Sequence, residues 1–206
     1  MKTALLINAS PHGDFSHARQ LAHEQLQSLR QRYPDLELIE RNLAEQPLPP
    51  LNIEYGAALT KPTAFDAPVF DVSEALIQEL ERSDVVFVCT PMHNLTVPAS
   101  LKLWIDYVLR IHRTFSSGPD GKTGLLASRP VYVLVGSGGF HQGPRAKQRD
   151  FLTDYLREVF TMLGLSDIHF VYLEGLVFGE EAVATALREA RQHLTDEWTG
   201  ALDARH

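Results

Sequence analysis

Cysteine is almost absent from this chain: among its 206 residues, Cys89 is the single one. One thiol cannot form a disulfide within the chain, and this usage is typical of a protein in a reducing compartment. The sequence also has no apolar run of the ~18 residues that a membrane-spanning helix needs, and its first residues lack the pattern of a cleaved signal peptide. We therefore expect a cytoplasmic protein without a membrane partner.

Positive charge is in deficit. The chain has 19 Lys and Arg against 26 Asp and Glu, which gives a formal net charge of -7. An acidic surface repels nucleic acid and anionic membranes, so we expect neither as a partner. Metal-binding patterns are missing too: the nine histidines show no H-E-x-x-H spacing and there is no second cysteine, so no metal site is expected.

The chain does contain a regular alternation of apolar runs and amphipathic segments. Predicted strands lie at residues 3–9, 35–40, 84–90, 130–135 and 168–172, and predicted helices at 16–32, 72–82, 97–111, 144–163 and 180–198. Residues 41–70 are rich in proline, show no period and are predicted to form a long loop. This order predicts one α/β domain over residues 1–206, built on a doubly wound parallel sheet. Five strands fit the flavodoxin-like order 2-1-3-4-5, in which ligands bind at the carboxyl ends of the strands.

The first predicted strand is followed by a turn and the start of a long helix, which is a favourable place for a phosphate. The turn lacks the glycines of a G-x-G-x-x-G dinucleotide motif and the Gly-Lys-Ser/Thr of a P-loop. The groups that remain are the hydroxyls of Ser10 and Ser16 and the backbone amides of residues 16–18. These groups suit a terminal phosphate such as that of flavin mononucleotide (FMN). Alternatively, Ser16 is an ordinary N-cap of the helix.

Two further segments leave buried strands at the same edge of the predicted sheet. Residues 91–95 contain a proline that restricts the backbone and an asparagine whose amide both donates and accepts hydrogen bonds, so the segment can run along a flat heterocycle. Residues 136–141 contain three glycines, which let the backbone approach a ligand closely. Each segment also has a plainer explanation: Met92 and Leu95 as core residues, His93 as a satisfied histidine, and the glycines as a flexible turn.

Taken together, these segments resemble the FMN-dependent NADH azoreductases of bacteria, which are close to the flavodoxin-like NAD(P)H–quinone oxidoreductases. The resemblance covers nearly the whole chain and is carried by the P-M-x-N motif that begins at Pro91 and the G-G-x-H motif that begins at Gly138. It implies a homodimer with one FMN per subunit, bound between the two. The residues that it implies for FMN binding are Ser10, Ser16, His17, Ala18, Pro91, Met92, His93, Asn94, Leu95, Gly136, Ser137, Gly138, Gly139 and Phe140.

The resemblance also implies the chemistry. NAD(P)H passes a hydride to N5 of the flavin, leaves, and is replaced by a quinone or an azo compound that receives the hydride, in a ping-pong scheme. His141 is the implied proton donor to the acceptor. The resemblance implies that the acceptor contacts Tyr55, Phe115 and Met162.

Two positions depart from the family pattern. Many members carry Ser-Gln-Ser at the helix start, where this chain has Ser16, His17 and Ala18. One hydroxyl is therefore lost, and the imidazole of His17 is a donor that can replace it. The segment beside the ring usually carries a tyrosine, and here it carries His93.

Other functions and details stay open on the sequence. One alternative is an electron-carrier flavodoxin without an organic substrate of its own, although residues 41–70 and 112–128 are surplus to a carrier. Another is a non-catalytic α/β scaffold in which the glycine-rich segments serve only as turns. The choice between NADH and NADPH is open as well. The candidates for binding the 2′-phosphate, which NADPH has and NADH lacks, are Arg19, Arg113 and Arg145.

Overall fold

The computed structural model describes the backbone of residues 1–203 and the side chains of residues 1–195. In chain order, its strands and helices are β1 (Thr3–Asn8), α1 (His17–Arg32), β2 (Glu37–Asn42), α2 (Ile53–Thr60), α3 (Asp71–Arg82), β3 (Val85–Pro91), α4 (Ala99–Val108), β4 (Phe115–Gly118), β5 (Gly121–Gly124), β6 (Val131–Gly136), α5 (Thr153–Leu163), β7 (Ile168–Leu173) and α6 (Glu180–Asp203). No helix among the described residues is both long and apolar enough to cross a membrane.

Five strands form one parallel sheet in the order β2-β1-β3-β6-β7. The register is continuous: Ile7 pairs with Arg41 on one side and with Val88 on the other, and Val88 pairs in turn with Val133. If only the five strands of this sheet are numbered in chain order, they lie in the order 2-1-3-4-5. The predicted five-stranded parallel sheet is therefore confirmed. The other two strands, β4 and β5, form a separate antiparallel hairpin, which the sequence analysis did not predict.

Helices cover both faces of the sheet. Leu5 and Ile7 of β1 belong to a core shared with α3, α4 and α5, whereas Leu6 belongs to a core shared with α1 and α6. Because β1 is buried on both faces, its sequence is a continuous apolar run rather than an alternating one. The arrangement agrees with a doubly wound sheet and leaves the carboxyl ends of β1, β3 and β6 at one edge.

Two predicted helices are shorter in the structure than in the sequence analysis. The helix α4 ends at Val108 rather than at residue 111, and α5 begins at Thr153 rather than at residue 144. Asp150 explains this later start because its Oδ1 accepts hydrogen bonds from the backbone N–H groups of Leu152 (2.8 Å) and Thr153 (2.9 Å). A carboxylate in this position holds the first turn of a helix and separates it from the preceding chain.

Residues 41–70, predicted as a loop, contain the helix α2. Asn52 is its N-cap, and its Oδ1 accepts a hydrogen bond from the backbone N–H of Tyr55 at 2.8 Å. The Tyr55 ring then packs edge-on against Phe70 and Tyr107. This segment is therefore anchored to the core by aromatic contacts between distant parts of the chain, which a local sequence pattern does not show.

Candidate functional site

The start of α1 forms one end of the candidate site. Ser16 is the N-cap, and its Oγ accepts a hydrogen bond from the backbone N–H of Arg19 at 3.4 Å. Ser10 lies just beyond β1, where its buried Oγ accepts a hydrogen bond from the backbone N–H of His12 at 3.3 Å. Other N–H groups of the first turn have no partner within the helix, and the dipole of this 16-residue helix favours an anion at the same place. The N-cap explanation of Ser16 and a nearby phosphate are compatible.

Three strand ends meet beside this helix start. The backbone N–H of Ala9 donates to the carbonyl of Cys89 at 2.8 Å, which ties the end of β1 to β3. The backbone N–H of Met92 donates to the carbonyl of Gly136 at 2.8 Å, which ties the end of β3 to β6. The segments after β1, β3 and β6 are therefore held side by side, as the parallel sheet predicts.

A cavity of about 400 Å³ opens where these segments meet. The residues that line it and that the sequence analysis implied for FMN are Ser10, Ser16, His17, Ala18, Pro91, Met92, His93, Gly136, Ser137 and Gly138. Five lining residues were missed: His12, Phe15, Thr90, Leu176 and Val177. Leu176 and Val177 follow β7, and a position just after a parallel strand is the sequence signal that marks them.

The lining matches the two parts of FMN. At the α1 end, Nδ1 of His17 is buried and has no hydrogen-bond partner among the described residues. Pro91, Met92 and Val177 supply apolar surface for a flat ring. Gly138 packs closely against Val177: a Cβ at that position would lie 2.9 Å from Cγ1 of Val177, so a larger residue would have to displace that side chain. The cavity therefore suits a molecule with an anion at one end and a flat apolar ring at the other.

The cavity has no permanently charged side chain in its wall. Among the described residues that line it, there is no Lys, Arg, Asp or Glu, and there are three histidines, His12, His17 and His93. An anion here is met by the start of α1, by hydroxyl groups and by imidazoles.

The three arginines considered for a 2′-phosphate are engaged elsewhere. Arg19 pairs with Asp14 at 2.5 Å. Arg113 pairs with two glutamates of α3, each at 2.7 Å. Arg145 lies over the ring of Phe140, 4.3 Å from its centroid. None of the three lines the cavity, so the preference for NADH or NADPH stays open.

Residues 93–96 close into a tight turn beside the cavity. The backbones of His93 and Thr96 exchange two hydrogen bonds of 2.9 and 3.0 Å, and Asn94 and Leu95 adopt positive φ angles of 49° and 73°. A left-handed backbone costs a leucine roughly 1–2 kcal/mol, and strain of this kind is concentrated at functional sites. Asn94 and Leu95 do not line the cavity; they form the turn that shapes its wall.

The glycine-rich segment leaves the cavity after Gly138. Oε1 of Glu174 accepts hydrogen bonds from the backbone N–H of His141 at 2.5 Å and from that of the next residue at 3.1 Å. Gly139, Phe140 and His141 do not line the cavity. The roles predicted for these three residues, including proton donation by His141, stay predictions.

The residues predicted to contact an acceptor lie away from this cavity. The contact predicted between Tyr55 and an acceptor stays a prediction, and in this chain the side chain is buried: the residue is 3% exposed, and its hydroxyl donates to the backbone carbonyl of Tyr107 at 3.4 Å. The physical reason is that α2 turns this ring into the core. Phe115 begins β4 and Met162 lies in α5, and neither lines the cavity, so their roles stay predictions.

The single thiol is a structural group. Cys89 is completely buried, its Sγ donates to the carbonyl of Ala18 at 3.4 Å, and burial raises the pKa of the thiol. Such a thiol is not reactive. Among the described residues, no three His, Cys, Asp or Glu lie together in a way that could hold a metal ion.

The fold and the cavity define an α/β protein with helices on both faces of a parallel sheet and a ligand site at its carboxyl edge. A family model for the flavodoxin-like fold matches residues 2–197. The chain belongs to this flavodoxin-like family.

Relatives within the family carry more specific names. The FMN-dependent NADH:quinone oxidoreductase 4 of Pseudomonas fluorescens is 67% identical over 195 residues, which cover 95% of this chain and 95% of the relative. The FMN-dependent NADH:quinone oxidoreductase 5 of Burkholderia lata is 46% identical over 183 residues, which cover 89% of this chain and 90% of the relative. These relatives confirm the resemblance that the motifs at Pro91 and Gly138 indicated.

A solved structure shows the same fold. The FMN-dependent NADH-azoreductase of Bacillus anthracis, determined in complex with FMN, aligns with a TM-score of 0.79 at 21% identity. The alignment covers 95% of this chain and 99% of that protein.

Proposed function

We propose that this protein is an FMN-dependent NAD(P)H oxidoreductase that reduces quinones and azo compounds, and that it acts in the cytoplasm as a single-domain subunit of a homodimer. The observation that carries the proposal is the cavity at the start of α1, where the segments after three parallel strands meet. The names of the relatives from Pseudomonas and Burkholderia support the quinone activity. The azo activity rests on the motif resemblance.

In this proposal, each group of lining residues holds one part of FMN. The hydroxyls of Ser10 and Ser16 and the backbone amides of His17 and Ala18 hold the phosphate. Residues 91–95 run along the flavin ring. Residues 136–140 approach its other edge, with Gly138 at the closest point.

FMN supplies the redox chemistry when it is bound, storing a hydride from NAD(P)H until a quinone or an azo compound receives it in a second, ping-pong half-reaction. The protein positions the ring and limits access to it. His141 is the proposed proton donor to the acceptor. Phe115 and Met162 are proposed to contact the acceptor.

The proposed dimer is supported by apolar side chains at the mouth of the cavity. Phe15 and Val177 are 86% and 73% exposed, and both line the cavity. Phe178, which follows Val177 in sequence, is 63% exposed. Exposed apolar groups of this size at a ligand site commonly mark an interface, so a second subunit that covers them would also enclose the flavin. Light scattering on the flavin-loaded protein should give the mass of two chains.

The test of the function is an anaerobic absorbance experiment. Purified protein is incubated with FMN, separated from unbound cofactor, and its spectrum is recorded before and after addition of NADH. We expect a flavin spectrum that bleaches within seconds and returns when a quinone or an azo dye is added. Bound FMN that neither NADH nor NADPH bleaches would indicate an electron carrier, and the absence of bound flavin would indicate a scaffold.

A further inference from the structure

The phosphate of FMN must enter a cavity without a fixed positive charge. A phosphate monoester carries between one and two negative charges near neutral pH, because its second ionisation lies at about pH 6. The described residues that line the cavity include no Lys or Arg, but they include three histidines. The start of α1 supplies the equivalent of only about half a positive charge.

His17 is the histidine best placed to supply the rest. It is the first residue of α1, directly after the N-cap Ser16. Its Nδ1 is buried and has no hydrogen-bond partner among the described residues, and the residue itself lines the cavity. The next position is Ala18, which has no hydroxyl to offer. His12 and His93 also line the cavity but are exposed.

The charged groups on the elements around this helix start are Asp14, Arg19, His23, Glu40 and Glu45. Arg19 is bound by Asp14 at 2.5 Å and by Glu40 at 2.8 Å, so its charge is already compensated. None of the five lines the cavity. A phosphate at the start of α1 therefore finds no permanent counter-charge in the cavity wall.

We infer that FMN binding is coupled to protonation of His17, whose imidazolium pairs with the phosphate. With a phosphate in place, the same imidazole faces a full negative charge, and the protonated form becomes favourable. His17 therefore takes up a proton when FMN binds, and the gain in affinity that it provides grows as the pH falls from 8 to 6. This inference rests on the proposed function.

Isothermal titration calorimetry measures this proton directly. FMN is titrated into the apoprotein at pH 7 in two buffers of different ionisation enthalpy, which gives the number of protons exchanged per FMN. The wild type should take up more protons than H17Q or H17N, with a difference of up to one proton. Both variants keep a neutral donor at the position, and circular dichroism checks that each is folded. The same FMN is titrated into every protein, so the protons that the free phosphate carries before binding cancel in the comparison.

Three further measurements make the result specific. H12Q and H93Q should exchange the same number of protons as the wild type. Riboflavin, which lacks the phosphate, should show no difference between wild type and H17Q. The affinity ratio of wild type to H17Q for FMN should rise on going from pH 8 to pH 6, at no more than about tenfold per pH unit.

The outcomes separate this inference from the proposed function. If FMN binds and the wild type exchanges the same protons as H17Q and H17N, the inference is wrong and the function stands. If H12Q rather than H17Q removes the proton, the assignment to His17 is wrong. If the wild type binds no FMN under any of these conditions, the proposed function and the inference both fail.

Discussion

Glu74 is a single carboxylate that joins two separate parts of the chain. It lies in α3 and accepts hydrogen bonds from Arg110 at 2.8 Å and from Arg113 at 2.7 Å, both in the connection after α4. The hydrogen bonds from Arg113 are the main cause that lowers the pKa of Glu74 from 4.5 to about 2. Arg110 is 2% exposed, so removal of this carboxylate leaves a buried guanidinium short of its counter-charge.

The low pKa makes the contribution of Glu74 dependent on pH. Because its pKa is lower in the folded state than in the unfolded state, its stabilisation is complete above about pH 5 and is lost as the pH falls from 4.5 towards 2. The side chain is 29% exposed, so solvent screening reduces the effect to about 1–2 kcal/mol. In urea unfolding, E74Q should lose this amount at pH 7, and the deficit should shrink steadily below pH 4.5.

E158Q is the matched control for this prediction. Glu158 is an exposed residue of α5, so its substitution should change the free energy of unfolding by less than about 0.5 kcal/mol at both pH 7 and pH 3. A constant deficit for E74Q from pH 7 to pH 3 would contradict the role given to its ionised form.

At the scale of elements, the β4–β5 hairpin packs on the end of α5 through two glycines. A Cβ on Gly124 would lie 2.0 Å from the backbone nitrogen of Gly164, which ends α5 with a left-handed φ of 98°. The backbone N–H of Leu126 donates to the carbonyl of Leu163 at 3.0 Å and holds the same contact. Since both surfaces are backbone, neither can move aside as a flexible side chain would.

Gly124→Ala should therefore separate the hairpin from α5. We expect the free energy of unfolding to fall by about 1–3 kcal/mol, which is the usual cost of overpacking a close contact. Gly118→Ala, in the same hairpin but with no atom within 4 Å of the added Cβ, should change stability by less than about 0.5 kcal/mol. Thermal and urea unfolding of the two variants provide the comparison, and equal stabilities would show that the hairpin is not held by this approach.

At the scale of the whole molecule, sequence patterns predict the long-range frame better than the short elements. The runs in β1, β3 and β6 are apolar because both faces are buried, and this burial is what identifies a parallel sheet. The topology places the ligand at the carboxyl ends of the strands, so the sequence predicts that the segments starting at Ser10, Pro91 and Gly136 contribute to the site. The sequence does not predict the α2 helix, because aromatic partners far away in sequence fix Tyr55 in place. His141 does not line the cavity, and its backbone N–H donates to Glu174, so its role at the ligand stays a prediction.

Because the proposed site is formed by the ends of several strands of the sheet, FMN should stabilise the folded state of the entire chain. The proposed site draws on segments after β1, β3 and β6, which are dispersed when the chain unfolds, so FMN should bind the folded state only. At 100 times its dissociation constant it should then add about 2.7 kcal/mol to the free energy of unfolding. For a chain of this size that corresponds to a rise in Tm of about 5–10 °C. Differential scanning calorimetry at one fixed protein concentration measures the rise.

Riboflavin distinguishes the two halves of the site in the same experiment. At an equal concentration it should raise the Tm by much less than FMN does, because it occupies the ring surface formed by Pro91 and Met92 but leaves the start of α1 without an anion. S10A and S16A should reduce the effect of FMN and leave that of riboflavin unchanged, since the hydroxyls are assigned to the phosphate alone. Equal shifts from both flavins in the wild type would mean that the start of α1 does not bind the phosphate, and only the ring half of the proposed site would remain.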